Sequence, residues 1–215
     1  MDAVLDSLPL YWEGFWATLR LTLLSGLFAL VLGTLLGAFR VSPVPTLRGF
    51  GTVYVELVRN TPLTLVFFFF VFVAPQLELK LPFFTSAIVA LSLYTAAFVC
   101  EAVRSGVNSV GVGQAEAARA IGLTFPQTMR EVVLPQALRT VIPPLINVFI
   151  ALTKNTSIAA GFFVTESVAV GQRLANRNPA DVVEVLLFVA VLYLVITVPA
   201  GIAAARLERR AAFAR

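Results

Sequence analysis

FWATLRLTLLSGLFALVLGTLLGAF, residues Phe15–Phe39, carries one charged side chain, Arg20. Wound as a helix it would run roughly 37 Å, more than the ~30 Å hydrocarbon core of a bilayer. Four further apolar segments follow. The second is centred on Leu63–Val73 and is expected to take in part of Thr52–Val58, because the later run alone is too short to cross. The others are Phe83 to about Val103, about Ala137 to Ala160, and about Val182 to Ala205. The pattern predicts an all-α integral membrane protein with about five transmembrane helices, forming a single domain over residues 1–215.

Composition agrees. Hydrophobic residues make up 59% of the 215 and charged residues 13%, against about 25% charged in a soluble domain. The net charge of +4 does not point to nucleic acid, because the arginines form no stripe with interleaved aromatics; they flank the apolar segments. Arg40, Arg48 and Arg59, then Arg104, Arg119, Arg130 and Arg139, then Arg206, Arg209, Arg210 and Arg215 fall on one side. Only Lys80, Arg173 and Arg177 lie in loops of the other, with Arg20 near the outer end of the first helix. The positive-inside rule puts the N-terminus outside and the C-terminus in the cytoplasm. Asp2 and Asp6 stand where a cleavable signal would be basic. Opposed termini and an odd helix count disfavour an inverted repeat. The lone Cys100 excludes an intrachain disulfide.

Absences narrow the chemistry. The two lysines are Lys80, between Leu79 and Leu81, and Lys154, between Thr153 and Asn155. Neither has the Gly-Lys-Ser/Thr setting of a phosphate-cradling loop. With no histidine, His-based zinc sites and Ser-His-Asp triads are excluded. The chain is expected to be no enzyme and to bind no cofactor itself.

The connection from about 105 to 138 is far longer than a simple link requires. Gln114–Ile121 favours helix, and Gly122 suits its C-terminus. Thr124 and Pro126 look like the start of a second helix, and Pro135 is expected to interrupt the pattern just before the fourth span. A short helix held this way can pass rigid-body motion from a soluble partner to the membrane; an ordinary amphipathic interfacial helix is the alternative.

Glu116-Ala117-Ala118, then Gly122, then Val132 and Leu134-Pro135 resemble the EAA loop of bacterial ABC-importer permeases, with Val132 where isoleucine is more usual. The resemblance extends over nearly the whole chain to the polar amino-acid (histidine/glutamine/glutamate/arginine) importers. It is carried by Arg59-Asn60-Thr61-Pro62-Leu63, Ala97-Phe98 with Glu101 and Arg104, Ser109 with Gly113-Gln114, Pro135 to Arg139, Pro143-Pro144 with Asn147, and Leu152 to Ser157. Asn60 in place of glycine, and ALTKNTSIA, most resemble glutamate permease subunits. The resemblance implies a coupling helix between spans 3 and 4, with Glu116, Ala117, Ala118 and Gly122 docking on an ATPase subunit. ATP and Mg would reside on that partner. It also implies a second permease subunit, an extracytoplasmic amino-acid-binding protein, an amino-acid substrate, and a place in the bacterial plasma (inner) membrane.

Two polar stretches remain. Arg59, Asn60, Thr61 and Pro62 form a second-helix motif whose plain role is capping and interface marking. Thr153, Lys154, Asn155, Thr156 and Ser157 sit deep in the fourth span; Lys154 lies about 22 Å along it from Arg139. A charge there faces a bundle interior or a wet path, or else snorkels or pairs with a carboxylate such as Glu166. Glu101 and Arg104 are spaced for a local ion pair. Thr165–Asp181 reads as a solvated outer loop or a docking surface. The competing class is a secondary transporter or channel, which would leave the 105–138 loop without a purpose.

Overall fold

The computed structural model describes residues 6–212, with side chains to 209. Its elements are α1 (Leu8–Val41), α2 (Pro45–Arg59), α3 (Leu63–Phe68), α4 (Phe83–Asn108), α5 (Val112–Ala120), α6 (Phe125–Gln127), α7 (Leu134–Asn155), α8 (Ser167–Arg177) and α9 (Val182–Ala212). No strand occurs among the described residues.

Helices α1 and α4 form the central pair. Gly33 lies so close to α4 that a Cβ there would stand 2.5 Å from Val99 Cβ and 2.7 Å from the Ala96 carbonyl oxygen. Small residues let two backbones approach this closely, which drives helix association where lipid removes the hydrophobic effect. The register is parallel. Arg20 lies over Phe84, Ser25 donates to the Ile88 carbonyl, and Gly33 meets Ala96 and Val99. The chain must therefore return to the starting level of α1 before α4 begins. Leu63–Leu77 makes that return, first as α3, then as a π-turn over Phe69–Val73 and a 3-10 turn over Ala74–Leu77. Four helices, Leu8–Val41, Phe83–Asn108, Phe125–Phe162 and Pro179–Arg209, are each long and apolar enough to cross, and the bent pair Pro45–Arg59 with Leu63–Leu77 brings the candidate spans to as many as five.

Thr52–Val58 makes up, with Leu63–Leu77, the length and hydropathy that a crossing needs, as expected, but it is not collinear with that run. It lies in α2, whose axis is bent 99° from Leu63–Leu77. The break falls at Asn60–Pro62, where proline has no N–H to continue the ladder and holds Thr61 out of the helical region. Pro135 gives the opposite outcome. The chain winds without a break from Phe125 to Phe162, with a π-turn over Thr128–Val133. Pro135 follows closely on that π-turn, where the hydrogen-bond ladder is already irregular and accommodates its missing N–H. Pro143 and Pro144 also lie inside α7.

Helix α7 runs antiparallel to α4: Val141 packs at Gly106, while Asn155 faces Tyr94. Helix α9 runs antiparallel to α7, bringing Tyr193 to Thr156 and Ile150 to Gly201. The described ends consequently lie at opposite faces of the bundle. Leu21, Phe67, Leu91, Leu152 and Phe162 form the core between these helices.

Candidate functional site

At one end of the bundle, α5 is the short helix expected from the long connection, starting two residues earlier, at Val112. Gly122 ends it with φ +93°, a left-handed conformation that glycine adopts without a Cβ clash. The next turn is closed by Thr124, whose backbone N–H and hydroxyl both donate to Gln127 Oε1, at 2.9 and 2.8 Å. The expected docking group divides by face. Glu116, Ala117 and Gly122 are exposed, whereas Ala118 is buried against its own chain. Composition hid the apolar part of this surface: Ile121 is 81% and Phe125 63% exposed. Their place beside a glycine turn and a helix cap was the signal that could have revealed them.

Midway along the bundle, α4 and α7 line a half-open cavity of about 430 Å³. Tyr94, Thr95 and Phe98 line it from α4; Asn147, Val148, Ala151, Leu152 and Asn155 line it from α7. Asn147, Ala151 and Asn155 are four residues apart, so they share one helix face. The polar run 153–157 is divided by the same periodicity. Thr153 and Thr156 are buried and bond back to the carbonyls of Phe149 and Thr153 at 2.9 and 2.7 Å. The Ser157 hydroxyl donates to the Lys154 carbonyl at 2.7 Å. Only Asn155 of the run lines the cavity. Lys154 is exposed and has no ion pair among the described residues. It does not pair with Glu166. An exposed ammonium this far along the span is costly against lipid unless it faces a wet path or a neighbouring subunit or snorkels outward.

Arg59 of the second-helix motif sits at one edge of this cavity. The Arg59 guanidinium lies 5.5 Å from the centre of the Phe98 ring and 3.8 Å from Glu101. Glu101 also receives Arg104 at 2.9 Å, the expected i,i+3 pair, and is in contact with Arg40. The Asn60 amide and Thr61 hydroxyl donate to the carbonyls of Glu56 and Leu57, at 2.7 and 2.8 Å. They finish α2 rather than start α3, for which Pro62 is the N-cap.

At the far end, Thr165–Asp181 is not a solvated loop. It contains α8, amphipathic by its burial pattern: Val170, Gly171 and Leu174 face inward, and Gln172, Arg173, Asn176 and Arg177 face out. Glu166 caps this helix, accepting from the Ala169 N–H at 2.9 Å. Its other oxygen accepts from the Tyr193 hydroxyl at 2.7 Å and from Thr18 at 3.3 Å. Glu166 is wholly buried, and burial pushes its carboxyl above the ordinary value, outweighing the hydrogen bonds that favour the anion. No cluster of potential metal ligands occurs among the described residues.

Residues 29–213 match the model of the family described as "Binding-protein-dependent transport system inner membrane component". The chain belongs to that family. It is a permease subunit of an ABC importer, an inner-membrane component of its transport system. This permease is 40% identical over 210 residues to the "Probable glutamine ABC transporter permease protein GlnM" of Bacillus subtilis, covering 98% of this chain and 97% of that one. It is 41% identical over 216 residues to the "Glutamate transport system permease protein GluC" of Corynebacterium glutamicum, covering 95% of each. The solved structure titled "Crystal structure of an amino acid ABC transporter with histidines" superposes on the permease with a TM-score of 0.90 at 28% identity, covering 96% of each chain.

Proposed function

We propose that this permease carries a polar amino acid of the glutamate–glutamine class, with the α4–α7 cavity as a station on its path. The observation that carries this is mechanical. The exposed Glu116–Ala117 surface passes through the Gly122 turn into an unbroken helical rod, Phe125–Phe162, and that rod bears the cavity wall Asn147–Ala151–Asn155. A push on α5 therefore moves the groups facing the cavity, as required for alternating access. Asn147 and Asn155 can donate to a carboxylate and accept from an ammonium. Lys154 adds a cation attractive to acidic cargo and acts as a gate where two permease subunits meet. ATP and Mg are handled by two partner ATPase subunits docked on Glu116, Ala117, Ile121 and Phe125. An extracytoplasmic binding protein delivers cargo to the polar face of α8. The two named relatives are described as glutamine and glutamate permeases, which supports the cargo class.

Vesicles holding the complete importer test this. Ala117→Trp puts bulk on the docking face and is expected to weaken ATPase attachment by about thirtyfold or more, as removal of a contact hot spot does, with uptake falling in step. Unlabelled glutamate and glutamine should compete for wild-type uptake, with arginine much weaker. Unchanged uptake in the variant would refute the docking role. Failure of both glutamate and glutamine to compete would refute the cargo class.

A further inference from the structure

Helix α2 has three faces, whereas a soluble surface helix has two and a lipid-facing span has none that is charged. Gly51 and Val55 are buried; a Cβ on Gly51 would stand 2.8 Å from Arg40 Cγ at the end of α1. Arg48, Thr52, Glu56 and Arg59 form a polar stripe with the spacing of one helix face. Phe50, Val53 and Leu57 form a separate apolar stripe, 60, 60 and 65% exposed. Contact with protein, water and hydrocarbon at once is the situation of a helix lying in a membrane–water interface. The 99° bend supplies that attitude, laying α2 across the direction in which Leu63–Leu77 crosses.

The charge around α2 is unbalanced. Three guanidiniums, Arg40, Arg59 and Arg104, converge on the carboxylate of Glu101; with Arg48 and Glu56 of α2 itself counted, four positive charges stand against two negative ones. Arg59 and Arg104 remain 44 and 37% exposed. At the other end of α2, the Arg48 guanidinium makes, among the described residues, one hydrogen bond, at 3.5 Å to the Ser42 carbonyl.

We propose that α2 is a binding surface for anionic phospholipid. Phe50, Val53 and Leu57 sink among acyl chains. The phosphates settle on Arg48 at one end and on the Arg59–Arg104 pair at the other, by charge-assisted hydrogen bonds. The surface is wired to the cavity. Arg59 lies over Phe98, a cavity wall, and the Tyr54 hydroxyl donates to the Leu93 carbonyl on the same helix at 2.7 Å. A phosphate competes with Glu101 for Arg59, so lipid composition acts on the cavity wall. The lipid contact stands without the transport function proposed above; its effect on uptake rests on that function.

The test uses the complete importer in vesicles of phosphatidylcholine alone or with phosphatidylglycerol added, buried Cys100 left in place. Nitroxides attached to single cysteines at positions 50, 53 and 57 should collide with dissolved oxygen and be shielded from a water-soluble nickel chelate; those at 52 and 56 should behave oppositely. Titrated phosphatidylglycerol should bind Arg48→Gln about fivefold more weakly than wild type, the usual worth of one arginine at an anionic surface. Uptake by wild type should respond to phosphatidylglycerol more strongly than uptake by Arg48→Gln. Shielding of 50, 53 and 57 from both reagents would mean that a second copy or an ATPase covers the stripe, and would overturn the proposal. Access of the chelate to all three, or equal phosphatidylglycerol binding by the two proteins, would overturn it as well. Binding as expected with uptake indifferent to lipid would overturn only the link to the cavity.

Discussion

Lys154 and Glu166 are two deep-lying ionisable residues with opposite solutions. Glu166 is closed off by Tyr193, Thr18 and the α8 N-terminus. Its raised pKa means that the native state holds a proton more tightly than the unfolded chain does. Below the ordinary carboxylate range, about 4.3, both states are protonated and burial adds no penalty. As pH rises from there through the raised value, stability falls, by up to ~1.4 kcal/mol per pH unit. Glu166→Gln should flatten that slope and unfold at a higher temperature than wild type at pH 8, read from thermal melts of purified protein; a slope unchanged in the variant would count against the assignment. Lys154 has no such enclosure. Lys154→Met should lower uptake by about tenfold or more if the ammonium faces the path, while assembly with the ATPases persists. Uptake and ATPase coupling equal to wild type would exclude it from the path. Lys154's depth was legible from counting along the fourth span, but not its partner. Glu166 was legible only as a possible counter-ion, because burial of a loop carboxylate depends on Thr18 and Tyr193, far away in sequence.

Helices α1 and α4 meet through glycine, and the cost of disturbing them depends on what surrounds each position. At Gly33 a methyl would run into Val99 and the backbone oxygen of Ala96, and backbone cannot rotate aside. Gly33→Ala should destabilise by about 1–3 kcal/mol, the usual range for overpacking. At Gly49 a Cβ meets nothing within 4 Å, so Gly49→Ala should be neutral or stabilising by up to ~1 kcal/mol through helix propensity. Melting temperatures of the two variants check the contrast, and equal effects would count against close α1–α4 contact. Among the elements, α5 and its Gly122 turn were legible because cap residues act within a few positions of themselves. The bend between α2 and Leu63–Leu77 was not. Thr52–Val58 is apolar enough to count toward the span, and its own residues do not announce the 99° turn that follows. Pro135, like Pro143 and Pro144, does not end the helix: the π-turn over Thr128–Val133 just before it departs from the α-helical ladder, which the order of residues did not announce.

For the molecule as a whole, the function proposed above makes the exposed face of α5 and the cavity parts of one lever. Gly122 joins that face to the rod Phe125–Phe162, and the cavity lies against Asn147–Asn155 of the rod. The sequence alone determined solvent, helix class, about how many spans there are, and the short helix α5 with its glycine turn. These rest on local length, composition and capping, which act over tens of residues at most. Tertiary structure alone decided that α1 and α4 run parallel, and that Asn147 and Asn155 share a cavity with Phe98. The same holds for the three arginines that crowd one glutamate. Each is a meeting of residues from different helices, and the force that selects it, close packing with polar groups satisfied in a non-aqueous medium, has no trace in the order of residues along any one of them.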